Sequence, residues 1–207
     1  MQIPSFPETN HPLVRSLFEQ TDQELLNMFQ RYPDSGRYFT AIFARYHPIV
    51  YTLIQHSAKS PVQADYLFAL TWQQIYYEMR ELSLEQPITE KEALSLQNWL
   101  INMTAFCINR ISVPPAEAIH YSLKETSPPL WCYLQQAMDK LPPILRVVLL
   151  MARTFHWSET RIAAYLQAEG ENISIVQVSD LLQQSYQMLE EKLDPDIRDI
   201  YLEDGRN

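Results

Sequence analysis

The chain has 207 residues, 46% of them hydrophobic and 20% charged, which is enough apolar material for one sizeable core or two small ones in an ordinary globular protein. Three glycines against fourteen prolines disfavour sheets that need tight glycine turns and favour helices separated by proline-bearing loops. A formal charge of −9 argues against unaided nucleic-acid binding, because affinity for phosphate rests on Lys and Arg displacing condensed counterions.

Residues 1–20, opening "MQIPSFPETNHP", are interrupted by proline and read as a flexible N-terminal arm. They lack a basic region followed by an apolar stretch. The longest apolar run, "VVLLMA" at 147–152, is too short to cross a bilayer. The expectation is a cytoplasmic protein with no membrane partner.

A first helix opens at "TDQELLNMFQRY", where Thr21 and Glu24 stand in capping-box spacing. In "GRYFTAIFARYHPIVYTLIQHSA" the residues Phe39, Phe43, Tyr46, Val50 and Leu53 form a stripe every three or four residues, and Pro48 inside it predicts a kink. "SPVQADYLFALTWQQIYYEMREL" offers Ser60 as N-cap and Pro61 as first helical residue, with Ala64, Leu67, Thr71, Ile75 and Met79 on one face. In "TEKEALSLQNWLINMTAFCINRI" a second capping box, Thr89 with Glu92, leads a buried stripe of Ala93, Leu96, Leu100, Met103 and Cys107. These four helices make a first domain over residues 21–112.

Residues 113–126, with paired prolines at their start, read as a linker. A second domain over 127–195 contains "SPPLWCYLQQAMDKL", "PPILRVVLLMARTF", "SETRIAAYLQA" and "SIVQVSDLLQQSYQMLEEKL". In the last of these Ser174 and Gln177 make a capping box, and Ile175, Val178, Leu182, Leu189 and Leu193 carry the apolar face. The two helices meeting around Gly170 are a helix-turn-helix candidate. Residues 196–207 read as a frayed acidic tail. The fold class is therefore all-α: two small helical bundles joined by a linker, the C-terminal one containing a helix-turn-helix.

Chemistry-bearing motifs are sparse. Cys107 and Cys132 lie in apolar helical patterns and read as reduced core thiols. His11, His47, His56, His120 and His156 show no i, i+4 pairing with an acid, so no metal is expected. No phosphate-binding glycine loop or nucleophile elbow occurs, and the carboxylates are dispersed; neither catalysis nor a cofactor is expected.

Two stretches together resemble the sigma factors of bacterial RNA polymerase, particularly the two-domain extracytoplasmic-function type. One is "FTAIFARYHPIVYTLI", similar to the family's aromatic-rich helix through Arg45, Tyr46, Pro48, Val50 and Tyr51, followed by "QADYLFALTWQQIY" and "LQNWLINMTAFCINRI". The other is "LPPILRVVLLMARTFHWSETRIAAYL", similar to the family's Leu-Pro-Pro-x-x-Arg-x-Val segment and the helix pair after it. Order and spacing match from about Thr21 to Leu193.

The resemblance implies a sigma-like initiation factor that binds core RNA polymerase and directs it to promoter DNA, sometimes silenced by an inhibitory anti-sigma protein. It implies polymerase contacts through Asp65, Trp72, Gln73 and Tyr76 on the third helix. It also implies DNA contacts through Gln97, Asn98, Trp99, Asn102 and Arg110 on the fourth and through Thr160, Arg161, Gln177, Gln183 and Gln184 in the C-terminal domain.

Several residues depart from the family pattern. Asp65 is kept from its acidic clamp-binding signature, but Tyr66, Ala69 and Leu70 replace the rest, and Asn102 and Ala105 stand near positions that commonly carry arginine. The link "QAEGENI" is longer than the usual Gly-centred turn, and the last helix has one cation, Lys192, near its end. Its glutamines, with Gln187 on the same face, have the chemistry to bond adenine, but Asp180 among them opposes phosphate. A positive stripe from Arg146, Arg153 and Arg161 would answer the charge objection. Without the resemblance, these polar residues read as solvated surface, and Trp72, Tyr76, Tyr77 and Trp99 as core ahead of a base-stacking platform. The alternative function is a degenerate sigma-like regulator that binds polymerase or another transcription factor without reading DNA.

Overall fold

The computed structural model describes residues 3–83 and 95–202, and among these it is all-helical, with no strand. The helices are α1 (Pro12–Arg15), α2 (Asp22–Arg31), α3 (Gly36–Ser57), α4 (Pro61–Met79), α5 (Leu96–Arg110), α6 (Pro128–Asp139), α7 (Pro143–Arg153), α8 (Glu159–Ala168), α9 (Ile175–Lys192) and α10 (Pro195–Leu202). Two compact units result, Met1–Tyr133 with Asp194–Asn207 and Leu134–Leu193. The second unit is thus an insertion, continuous with the first at both of its ends.

The helix starts in the first unit follow local chemistry. Thr21 and Glu24 close a reciprocal capping box: the Glu24 amide donates to Thr21 Oγ1 (3.2 Å) and the Thr21 amide to Glu24 Oε2 (2.7 Å). Ser60 caps α4 by accepting from the Gln63 amide at 3.2 Å, with Pro61 at the first helical position. Ser95 caps α5, accepting from the Asn98 amide at 3.1 Å. The box expected at Thr89 and Glu92 lies outside the described residues.

Helix α3 runs through Pro48 without a break. Proline has no amide hydrogen, which leaves the Ala44 carbonyl without its usual donor four residues on. The His47 ring takes that place, its Nδ1 lying 3.1 Å from the Ala44 oxygen and 3.2 Å from the Phe43 oxygen.

Aromatic rings fill the core of this unit. Phe39, Phe43, Phe68, Trp72 and Tyr76 are buried and meet in edge-to-face contacts, with centroids 4.8 Å apart for Phe39–Tyr76 and 4.9 Å for Phe43–Trp72. The α3 residues named by the family resemblance staple helices together. Arg45 donates to the Phe18 and Gln20 carbonyls at 3.1 and 2.8 Å and pairs with Asp22, which also accepts from the Tyr46 hydroxyl. Tyr51 donates to Asp65 on α4 at 2.8 Å.

The segments read as an arm, a linker and a frayed tail belong, in their described residues, to this unit instead, residues 203–207 of the tail lying outside the described residues. In the N-terminal arm, Phe6 inserts against Phe43 at 4.9 Å and Val14 of α1 is buried. In the linker, Tyr121 packs on Trp131 and Tyr66, and Gln63 Nε2 donates to the Pro114 carbonyl at 2.9 Å. In place of a frayed tail, α10 buries Ile197 and Ile200. Asp196 anchors its start, accepting from Arg37 Nε at 2.6 Å and from the Ser35 hydroxyl. Gly36 is required at this contact, because a Cβ there would lie 1.9 Å from Ile197 Cδ1.

The second unit has a smaller, aliphatic core of Val148, Met151, Ile162, Ala163, Leu166 and Val178. Helix α8 ends in a Schellman motif: the Glu171 amide bonds the Leu166 carbonyl (2.9 Å) and the Gly170 amide bonds the Gln167 carbonyl (3.1 Å), with Gly170 at φ 93°. Only glycine takes that left-handed conformation at little cost. A second capping box then starts α9, where the Gln177 amide donates to Ser174 Oγ (3.3 Å) and the Ser174 amide to Gln177 Oε1 (2.8 Å). The expected apolar face of α9 is only partly buried. Val178 and Leu193 are inside and Leu182 is half-buried, but Ile175 at the helix start is 47% exposed. Ser185, which no apolar pattern marks, is buried and donates to the Leu145 carbonyl at 3.1 Å.

Candidate nucleic-acid interface

In the second unit, α9 packs one side against α7 and α8 and leaves the other to solvent. Asp180, Gln183, Gln184 and Gln187 are all exposed on it, at the three- and four-residue spacing that puts them on one face. Gln177 forms the capping box its spacing from Ser174 predicts. Its Oε1 accepts from the Ser174 amide, which ties the carboxamide to the helix start and takes from it the free rotation that pairing with a base edge would use. It caps the helix.

The arginines of the expected positive stripe each have a partner inside the unit. Arg146 donates to the Asp139 and Leu141 carbonyls at 3.0 and 3.3 Å, and Arg153 donates to the Tyr186 hydroxyl. Arg161, exposed, lies 4.2 Å above the Trp157 ring, and its amide is taken by the Ser158 cap. Thr160 beside it is exposed. Within Leu134–Leu193, Asp and Glu outnumber Lys and Arg by seven to five, so the charge objection stands for the unit as for the chain.

An exposed apolar set went unread in the sequence. Phe155 (59% exposed), Trp157 and Tyr165 form a ladder of rings with centroids 5.9 and 5.6 Å apart, and Val176 at the start of α9 is 71% exposed. The ladder is displayed by a tight turn between α7 and α8 in which His156 takes a left-handed φ of 52°. Rings placed by a turn carry no helical period, so periodicity does not reveal them.

In the first unit, α5 carries Gln97, Asn98, Asn102 and Arg110 on its surface, with Trp99 half-buried. Asn98, Asn102 and Arg110 fall every fourth residue along one stripe, and exposed Phe106 completes it, 5.8 Å beneath the Arg110 guanidinium. An amide, amide, ring and guanidinium in a row can hydrogen-bond and stack on unpaired bases.

The polymerase contacts implied on α4 fare differently. Trp72 and Tyr76 are fully buried, and no partner can reach them. Their rings are core, because α4 turns this face into the aromatic cluster. Asp65 is half-buried and accepts from Tyr51, and burial raises its carboxyl above the usual range. Gln73 keeps partial exposure. What α4 offers outward is Val62, Tyr77 and Glu78.

No family model, curated protein or solved structure matches this chain. Cys107 and Cys132 are buried and unbonded, with burial pushing both thiols up. No described helix is long and apolar enough to cross a membrane.

Proposed function

We propose that the chain is a sigma-like transcription factor that acts bound to RNA polymerase, with α5 and α9 as its two promoter-facing helices. The uncovered face of α9 carries this reading: a capped helix, packed on its other side, presents Gln183, Gln184 and Gln187 with nothing over them. Amide side chains discriminate base edges but supply no affinity for the backbone. The polymerase would have to hold the DNA, since α9 has no cation before Lys192. Catalysis and cofactors have no part in such a role.

The test is transcription with purified chain, core polymerase and genomic fragments. Transcripts starting at defined positions only when the chain is present support initiation. Core binding without any specific transcript favours a regulator that holds polymerase or another factor and reads no DNA. The exposed Val176, Ile175 and Phe155 favour that second reading, being apolar surface of the kind a protein partner covers.

A further inference from the structure

Within the first unit the end of α3, the first turns of α4 and the end of α5 meet around a pocket of about 210 Å³, which the start of the linker closes. The linker wall is Val113, and Gln63 on α4 fixes the chain beside it through the bond from its Nε2 to the Pro114 carbonyl. Ile108, Ile111 and Val113 line the pocket and are each only half-buried, so they keep aliphatic surface that an occupant would cover. Lys59, in the turn between α3 and α4, is exposed and lines the same space. It has no ion-pair partner among the described residues, and no acid is among the lining residues. The Ser57 hydroxyl, also in the lining, is already spent as a donor to the Leu53 carbonyl at 3.2 Å.

We propose that this pocket binds a short aliphatic monocarboxylate, its chain against Ile108, Ile111 and Val113 and its carboxylate on the Lys59 ammonium. At the roughly 30 Å³ that a water molecule occupies in the liquid, the pocket has room for about seven non-hydrogen atoms, close to the size of hexanoate. The helix ends alone do not choose the sign of the ligand. The carbonyl ends of α3 and α5 carry partial negative charge and oppose an anion, while the start of α4 carries partial positive charge. The full charge of Lys59 therefore decides it, and its flexible stem brings three N–H donors to the mouth of the pocket. An amine of the same length would be repelled by that ammonium, and an alcohol would lack the ion pair.

Calorimetric titration of the full chain at neutral pH and low salt with hexanoate, acetate, n-hexanol and n-hexylamine tests this. Saturable binding of hexanoate tighter than about 1 mM is expected, with hexanol at least about tenfold weaker and hexylamine silent. Acetate, short of hexanoate by the methylenes that cover the aliphatic wall, should lose about fourfold for each and fall beyond detection. Lys59→Gln, at an exposed position where the core is untouched, should weaken hexanoate at least about tenfold. Val113→Trp, which leaves Lys59 in place and fills the space, should abolish binding. Equal affinity for hexanol or acetate, full affinity in either variant, or no saturable hexanoate binding overturns the proposal.

Discussion

The two units solve the same packing problem with different side chains. The first draws Phe39, Phe43, Phe68, Trp72 and Tyr76 into its centre, while the second builds a core of Val, Met, Ile, Ala and Leu and leaves Phe155 and Tyr165 outside. Large rings bury more area per residue and set their neighbours' geometry through edge contacts. The roles assigned to Trp72 and Tyr76 on α4 therefore disappear into the core, whereas Asp65 and Gln73 keep part of their surface and the polar residues of α9 and α5 stay reachable. Where a resemblance points to aromatic residues, burial decides whether the motif is a contact or a support; the Arg45, Tyr46 and Tyr51 side chains are supports.

The largest break in this contrast should come from Trp72→Ala. Emptying the ring site amid Phe39, Phe43 and Phe68 is expected to cost about 3–5 kcal/mol in a urea melt. If Trp72 were instead a surface contact, stability would be untouched and only partner binding would fall.

Next in size is Gly36→Ala. Its methyl would overlap Ile197, and relieving such overpacking costs about 1–3 kcal/mol. The expected sign is faster proteolytic cutting within α10, with α7–α9 spared; unchanged cutting would mean α10 is not clamped there.

Gln177→Ala probes the other unit more gently. Losing the reciprocal cap should cost about 1 kcal/mol of stability. As a cap, Gln177 predicts weaker α9 helicity by amide exchange and no change in any base preference. A base preference that shifts while exchange stays constant would restore the reader role.

Much of the fold was legible because most helices announce themselves. Thr21 with Glu24, Ser60 with Pro61, and Ser174 with Gln177 each start a helix as their side chains dictate. The arm, linker and tail were misread for a common reason. Each is anchored by one or two apolar residues, Phe6, Leu123, or Ile197 with Ile200, set among proline or charge, and two anchors make no period. The candidate site was half legible. Spacing places Gln183 and Gln187 on one face, and it also marks Gln177 as half of a capping box with Ser174, but that Arg153 and Arg161 lie against Tyr186 and Trp157 is set by rings elsewhere in the unit.

The smallest effect should be a slope and not a loss, and it concerns His47. Its ring is wedged between Phe6 and Phe43, with centroids 5.2 Å from each, and burial lowers its proton affinity below the ordinary value of 6.5. The unfolded chain takes up a proton near pH 6.5, while the folded one stays neutral to lower pH. Proton uptake therefore favours unfolding in that window, and stability present above pH 6.5 falls as pH drops through the folded value. His47→Gln removes the titrating group but keeps an N–H donor for the Ala44 carbonyl that Pro48 leaves open. It should leave stability at neutral pH little changed and flatten its decline below pH 6.5, as followed by chemical melts across that range. An equally steep decline in the variant would place the acid sensitivity elsewhere. It would also mean that the ring is held by its bonds to the α3 backbone and not by the aromatic packing that sets the first unit apart from the second.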